Sequence, residues 1–358
     1  MVRLTQQKMI QIVLLITLFL LLLSTAGCRS PHPVESEITW DIAGSSVMLK
    51  AISMDHHLHE KAFDDVYERI TEIDNRVSLL KPDSLINQLN AVAGHGSIAL
   101  PDDVRFLIEE GLAYYQTSEG YYHIGLGSIT RLWGLHNSTM QIPPSGVVDE
   151  VLSDIDIGSI LISGNNAMIQ QPGTLIDLGN IARGYAIDEA VRIFRDNGIR
   201  SGIIHYDGDV FVMDEKPDNQ SWYVGIKEPL PGVDDIIGRF HLTNRAIVTA
   251  GDYIVWIEDE ASGRRYHHIM HPDTGYPVDN KLASVTVTFP TALDASMLAT
   301  TAFIMGLEEG YDFVVNMPNA QGLFITKEGE IYLTPGTDNY FELLSDEYRI
   351  TEIISSER

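Results

Sequence analysis

Four segments of the chain carry residue types from which a phosphate, metal or proton-transfer site can be built. In Asp177-Leu-Gly-Asn-Ile-Ala-Arg-Gly-Tyr-Ala-Ile-Asp188, Gly179 and Gly184 bracket a turn that opens a helical pattern. Backbone N–H groups at a helix start, with Arg183 beside them, suit a phosphate group. A plain turn followed by a surface arginine has the same pattern. In Tyr266-His-His-Ile-Met-His-Pro-Asp-Thr-Gly-Tyr-Pro277, the residues Pro272, Gly275 and Pro277 stiffen a turn carrying His267, His268 and His271. Clustered imidazoles can bind metal, but no second ligand group stands at zinc-like spacing, and local hydrogen bonding would equally account for them. In Thr291-Ala-Leu-Asp-Ala-Ser-Met-Leu-Ala-Thr-Thr-Ala-Phe-Ile-Met-Gly306, Ser296 and Thr300 are four apart and share a helix face, where oxygen donors can hold Mg²⁺. Asp294 reads there as a candidate helix cap. The fourth segment, His56-His-Leu-His59, is either a metal ligand set or a solvated approach to the next helix.

The elements that must position these residues follow from periodicity. Phe63, Val66, Ile70, Ile73 and Val77 have helical spacing within 61–80. Further helices are predicted over Val104–Tyr115, Tyr185–Asn197 (stopped by Gly198) and Leu293–Met305. Strands are predicted at Gly202–Tyr206 and Val210–Met213 around an Asp207–Gly208 turn. Others are Ala246–Thr249, Tyr253–Glu258, Leu282–Phe289, and a hairpin of Gly322–Ile325 with Glu330–Leu333. Turns and short strands fill Ser138–Ile176. Helices and strands mix without a βαβ rhythm, so the expected class is α+β.

The chain has 358 residues and a formal net charge of −26, which disfavours nucleic acid as a partner. Its apolar share of 44% is that of a globular protein. Arg3 and Lys8 precede an apolar run from Ile12 to Leu23 and then small residues, the pattern of an export signal over residues 1–27. The run is shorter than the roughly 20 residues a membrane-spanning helix needs. Cys28, the only cysteine, follows Ala26-Gly27 in a sequence that resembles a bacterial lipobox, with Thr25 where leucine is usual. That resemblance implies a lipid on Cys28 and a membrane-anchored protein facing the periplasm or the cell exterior. Residues 28–45 are expected to form a tether, and 46–358 the folded domain.

Taken together and in order, these segments resemble the ApbE family of FAD:protein FMN transferases. Residues 177–188 are similar to that family's DLGGIAKGYAVD loop, Thr249-Ala-Gly-Asp-Tyr253 to its TSGDY strand end, 268–277 to HILDPxTGxP, and 295–306 to ADALATALFVLG. Upstream, Ser78 to Asn90 resembles S-x-Y-x-x-x-S-x-x-x-x-x-N. Gly120-Tyr-Tyr-His-Ile-Gly125 with Leu132-Trp-Gly134 resembles GAFDPT…LWGF, and His205-Tyr-Asp-Gly-Asp209 resembles NxGGD.

The resemblance implies an ApbE-like, T-fold-related α+β architecture with FAD in a cleft and Mg²⁺ bridging its diphosphate. It implies transfer of FMN to a Ser or Thr hydroxyl of exported flavoproteins with release of AMP. Hydrolysis of FAD and simple FAD binding are alternatives within the same fold. Residue by residue, it implies nucleotide contacts from Tyr121, Tyr122, His123, Asp177, Arg183, Asp207 and His268. Mg²⁺ contacts are implied from the Asn180 carbonyl and Thr300, with Ser296, or Asp294 from a shifted helix start, at the position of the family's aspartate. His268, Thr300, Ser296 and Asp294 form the implied catalytic set. The chain departs from the family at Ser296, at His271 and His123 (each in place of aspartate), and at Leu80 in place of tyrosine, a ring that Tyr114 or Tyr115 would have to supply. A serine hydroxyl is neutral, so weaker metal affinity is expected.

Overall fold

In the computed structural model, residues 32–42, 44–135, 139–217 and 219–351 are described; the leader and Cys28 lie outside them. The strands are β1 (Val34–Ile42), β2 (Ser45–Ser53), β3 (Ser97–Ala99), β4 (Ile160–Ser163), β5 (Asn166–Ile169), β6 (Ser201–Tyr206), β7 (Asp209–Met213), β8 (Trp222–Lys227) and β9 (Ile236–Leu242). They continue as β10 (Arg245–Gly251), β11 (Trp256–Glu258), β12 (Arg265–His267), β13 (Leu282–Phe289), β14 (Gln321–Thr326), β15 (Glu330–Leu333), β16 (Phe341–Leu343) and β17 (Arg349–Thr351). The α-helices are α1 (His57–Val77), α2 (Leu85–Ala91), α3 (Asp102–Thr117), α4 (Gly127–Leu132), α5 (Val147–Ser153), α6 (Gly179–Asp196), α7 (Ala292–Met305) and α8 (Leu307–Val315).

A nine-stranded sheet in the order β1-β2-β6-β7-β10-β13-β14-β15-β17 organises the molecule. Its pairings are antiparallel except β15 with β17. The central strands are buried on both faces: every residue of β7 is buried, as are Leu282 to Thr288 of β13. One face carries Phe211, Val248, Val285 and Phe324 into a core shared with α1, α6, α7 and α8. The other carries Val212, Ile247, Leu323 and Ile325 against the small sheet β16-β9-β8, where Trp222, Ile226 and Phe240 are buried. This double burial explains the near-continuous apolar runs of β7 and β13. Helix α7 is apolar on almost all sides because it lies inside the packed layer, between the sheet and α6.

The α+β class and the principal elements match the sequence expectations, with three corrections. The expected tether of 28–45 is too long. Val34–Ile42 forms edge strand β1 on β2, and Ile38, Trp40 and Ile42 alternate toward the protein. The strand predicted over Tyr253–Glu258 is reduced to Trp256–Glu258, leaving Ile254 and Val255 exposed in a turn. Within Ser138–Ile176, where only turns and strands were expected, Val147–Ser153 is helical, with Gly146 left-handed at its start. No helix among the described residues is long and apolar enough to cross a membrane.

Candidate active site

Asn180, Gly184 and Asp188 are four apart on α6, hence on one face, and all three meet α7. The Asn180 carboxamide Nδ2 donates to Thr300 Oγ1 at 3.1 Å. Ser296 Oγ donates to the Asn180 carbonyl at 3.3 Å. A Cβ on Gly184 would lie 2.6 Å from the Ala292 carbonyl oxygen and 2.7 Å from Leu293 Cα, so only glycine allows this approach. Asp188 accepts the backbone N–H groups of Ala292 at 2.8 Å and Leu293 at 2.9 Å. Burial raises its carboxyl to about 6 against the pull of these two donors.

Two expectations about Asp294 are corrected here. The N-cap of α7 is Thr291, whose hydroxyl accepts the Asp294 N–H at 3.4 Å and also contacts the Asp294 carboxylate. Nor does Asp294 join the oxygen cluster. Two residues before Ser296 is roughly 200° around a helix, and its charge is felt instead by Glu110 and Asp188. The sequence-expected metal donors that do converge are the Asn180 carbonyl, Ser296 and Thr300. All are oxygens, the donor type a hard cation such as Mg²⁺ accepts, and all are neutral. They fit the ion by type and bring it no charge.

The Asn180 carboxamide has a second partner, the Tyr122 hydroxyl, which donates to Oδ1 at 3.1 Å. Tyr122 is buried, edge-on to Tyr114 with centroids 5.4 Å apart. Tyr114 in turn packs on Phe313, and its hydroxyl is buried without a hydrogen bond. Tyr115 lies against the His123 ring. Tyr114, packed between Tyr122 and Phe313, therefore does not stand free as a flavin-stacking platform, and Leu80 is exposed. Tyr121 reaches outward, with its ring on His271 and its hydroxyl on Glu309 at 2.9 Å.

One turn after Asn180, Arg183 faces the β6–β7 turn. Its Nη1 lies 3.6 Å from Asp207 and its Nε 3.2 Å from Asp209 Oδ2. Asp207 has φ +53° and stays solvent-exposed. Asp209 is buried, which lifts its carboxyl to about 6 despite the nearby guanidinium. Neither Arg183 Nε nor Asp209 Oδ2 makes a hydrogen bond, so charge alone joins them. The sequence singled out Arg183 and Asp207 and missed Asp209, whose position at the start of a strand reads as structural.

His268 sits half-buried beside this cation. Burial, then its neighbour His267 and the charge of Arg183, push its imidazole down to about 4. Its Nδ1 is 3.3 Å from the Val255 carbonyl, which can only accept, so that nitrogen carries the proton and Nε2 keeps its lone pair. The other histidines of the loop are held locally. His267 bonds the Val278 carbonyl at 2.7 Å, and His271 Nδ1 accepts the Asp273 N–H at 3.2 Å. The loop is anchored from below by Trp133, whose indole donates to the Gly275 carbonyl at 2.9 Å. Gly275 has φ +67°, and a side chain there would strike Val148 and Ile129. His123 is pushed down to about 4 by burial, and its Nδ1 accepts the Gly125 N–H at 3.1 Å.

The Asp177 carboxylate is already engaged, by Thr130 Oγ1 at 2.8 Å and the Gly179 N–H at 2.9 Å. It shapes the turn before α6. In the fourth segment, His59 is buried between Ser53 and Ser36, each at 2.7 Å, and turns away from its neighbours. Ligand atoms of Asp55, His56 and His57 gather within 4.8 Å of one another, fully at the surface.

The sequence profile of the ApbE family matches residues 43–324. That span covers every element of the site. The chain belongs to the ApbE family. Among curated ApbE relatives, an FAD:protein FMN transferase of Klebsiella pneumoniae is 26% identical over 87% of this chain and 95% of its own length. One from Treponema pallidum is 25% identical over 77% of this chain and 80% of its own. The crystal structure of the ApbE protein from Thermotoga maritima superposes with a TM-score of 0.78 at 25% identity, covering 86% of this chain and 99% of that one. The apo form of the Pseudomonas stutzeri flavinyl transferase ApbE gives 0.76 at 25% identity, covering 86% and 96%.

Proposed function

We propose that this protein is an FAD:protein FMN transferase acting on exported proteins. The observation that carries the reading is the meeting of the α6 start with α7, where Ser296 Oγ reaches the Asn180 carbonyl, Thr300 Oγ1 reaches the Asn180 carboxamide, and Arg183 follows three residues further along α6. FAD lies across this point with its diphosphate toward the α6 N-terminus, where Arg183 and the backbone dipole favour negative charge. An acceptor Ser or Thr oxygen bonds to the FMN phosphorus. The bond from that phosphorus to the bridging oxygen breaks, and AMP leaves with the electron pair.

His268, whose Nδ1–H is held by the Val255 carbonyl so that Nε2 keeps its lone pair, is assigned the hydroxyl proton. Arg183 holds the diphosphate in line, and Tyr122 keeps Asn180 in register. Bound between Asn180, Ser296 and Thr300, Mg²⁺ would neutralise charge developing on the phosphates. Tyr121, His123, Asp177 and Asp207 border the nucleotide, Asp177 through the turn it braces. The lipobox-like sequence at Cys28 supports a membrane-anchored enzyme facing the periplasm or cell exterior.

The test is to incubate the purified protein with FAD, Mg²⁺ and a flavin-accepting protein, following AMP release and in-gel flavin fluorescence of the acceptor. AMP together with a fluorescent acceptor is expected. AMP alone makes the protein an FAD hydrolase. A yellow protein releasing no AMP makes it an FAD carrier, a reading the uncharged Ser296 favours. No flavin affinity at all overturns the assignment.

A further inference from the structure

We propose that the Asn180 carboxamide supplies an additional oxygen to the metal site, and that this site, lacking any carboxylate, binds its cation only together with the nucleotide. The inference rests on the proposed flavin site and goes beyond it, because it concerns the Asn180 side chain and the order of binding. Three acids flanking this meeting of helices, Asp177, Asp188 and Asp294, are each engaged by protein donors. Asp177 holds Thr130 and Gly179, Asp188 holds the first N–H groups of α7, and Asp294 holds Thr291. A divalent cation entering this point alone would give up water for neutral oxygens with no charge to compensate it. The FAD diphosphate brings that charge.

The carboxamide is placed to help. It lies between the Tyr122 hydroxyl and Thr300 Oγ1, each at 3.1 Å. Both partners are hydroxyls that can donate or accept. Turning the amide end for end therefore keeps both bonds, with Nδ2 serving Tyr122 and Oδ1 facing Thr300. In that orientation a carboxamide oxygen joins Thr300 Oγ1, Ser296 Oγ and the Asn180 carbonyl. A glycine at this position, as in the family loop pattern DLGGIAKGYAVD, has no such oxygen. Asn180 and Tyr122, which stands where that pattern's companion GAFDPT carries phenylalanine, together form a polar bridge where Ser296 has removed a charge.

Coupling of this kind is reciprocal: whatever factor FAD adds to metal affinity, the metal adds to FAD affinity. The experiment measures Mn²⁺ binding to the mature protein by loss of the free-ion EPR signal, with and without FAD, and FAD binding by flavin fluorescence with Mn²⁺ or with chelator. FAD should tighten Mn²⁺ binding at least a hundredfold, from millimolar or weaker. Asn180→Ala should cut that factor roughly tenfold, as loss of a ligand or its support does. Asn180→Asp, which keeps the shape and adds a charge, should let Mn²⁺ bind without FAD at least tenfold tighter than wild type. Equal Mn²⁺ affinity with and without FAD overturns the coupling. A wild-type coupling factor in Asn180→Ala, or no gain in Asn180→Asp, overturns the role of the carboxamide. In either case FAD binding in chelator persists and the flavin reading stands. Loss of FAD binding by the wild type itself would instead remove both.

Discussion

Replacing Gly184 by alanine tests whether the cleft depends on the close approach of α6 and α7. The added Cβ would sit 2.6 Å from the Ala292 carbonyl oxygen and 2.7 Å from Leu293 Cα, both backbone atoms that no rotamer change can move. Ordinary contact begins at 3.4 Å, so the helices must part locally by about 0.8 Å, overpacking that typically costs about 1–3 kcal/mol. Alanine returns up to about 1 kcal/mol of helix propensity, leaving a net loss of roughly 0–3 kcal/mol and a melting temperature lower by several degrees at most. The site suffers more. Ser296 to the Asn180 carbonyl is already 3.3 Å, and Asn180 to Thr300 is 3.1 Å. An opening of about 0.8 Å takes both beyond hydrogen-bonding range.

Metal-dependent FAD affinity should therefore fall at least tenfold in Gly184→Ala, read by flavin fluorescence titration in Mg²⁺ and in chelator. Gly179→Ala is the control, since its Cβ meets only the Asp177 carboxylate at 3.3 Å. It should stay within threefold of wild type. A Gly184→Ala protein with unchanged metal-dependent affinity would show that the cleft does not depend on the close approach of α6 and α7.

Other outcomes follow from the same contacts. Burial keeps Asp188 protonated up to about 6 against an ordinary 3.8. Its stabilising contribution is thus complete below pH 4 and lost as pH rises through 6, on the order of 1–3 kcal/mol. Asp209 titrates in the same sense, so Asp188→Asn should remove only part of the fall in melting temperature between pH 4 and 7.5. His268→Gln should lower FMN transfer by about 10²–10⁴-fold, the range of a lost general base, while FAD binding changes little; unaltered transfer would remove His268 from the reaction. Trp133→Phe loses the indole bond to Gly275 and should cost about 1–3 kcal/mol by leaving that carbonyl unpaired, measured by urea unfolding. Cys28→Ser should release the protein from the membrane fraction; retention there would contradict lipid anchoring at Cys28.

Helical and strand periodicity placed most of the architecture because burial follows it closely. Phe63, Val66, Ile70, Ile73 and Val77 are all buried on α1, and Leu282–Phe289 is a strand as expected. Edge strand β1 escaped notice because proline and polar residues precede it and its alternation is half exposed. At the site, residue types named Ser296, Thr300, Arg183 and His268, and the family resemblance added Asn180, but neither told what each one faces. Asp294 was misread because a carboxylate near a helix start suits both a cap and a metal, and only the rotation between 294 and 296 separates them. Asp188 was legible in principle: polar, glycine and polar residues at 180, 184 and 188 mark one face that admits a neighbouring backbone. The partnership of Tyr122 with Asn180 joins positions 58 residues apart, and no local pattern reports it.

A crystal structure of the protein with FAD and Mn²⁺ decides whether α6 and α7 form one diphosphate–metal site. An anomalous peak touching the Asn180, Ser296 and Thr300 oxygens and the FAD diphosphate is expected. Flavin bound elsewhere, or manganese held only by Asp55, His56 and His57, would contradict such a site.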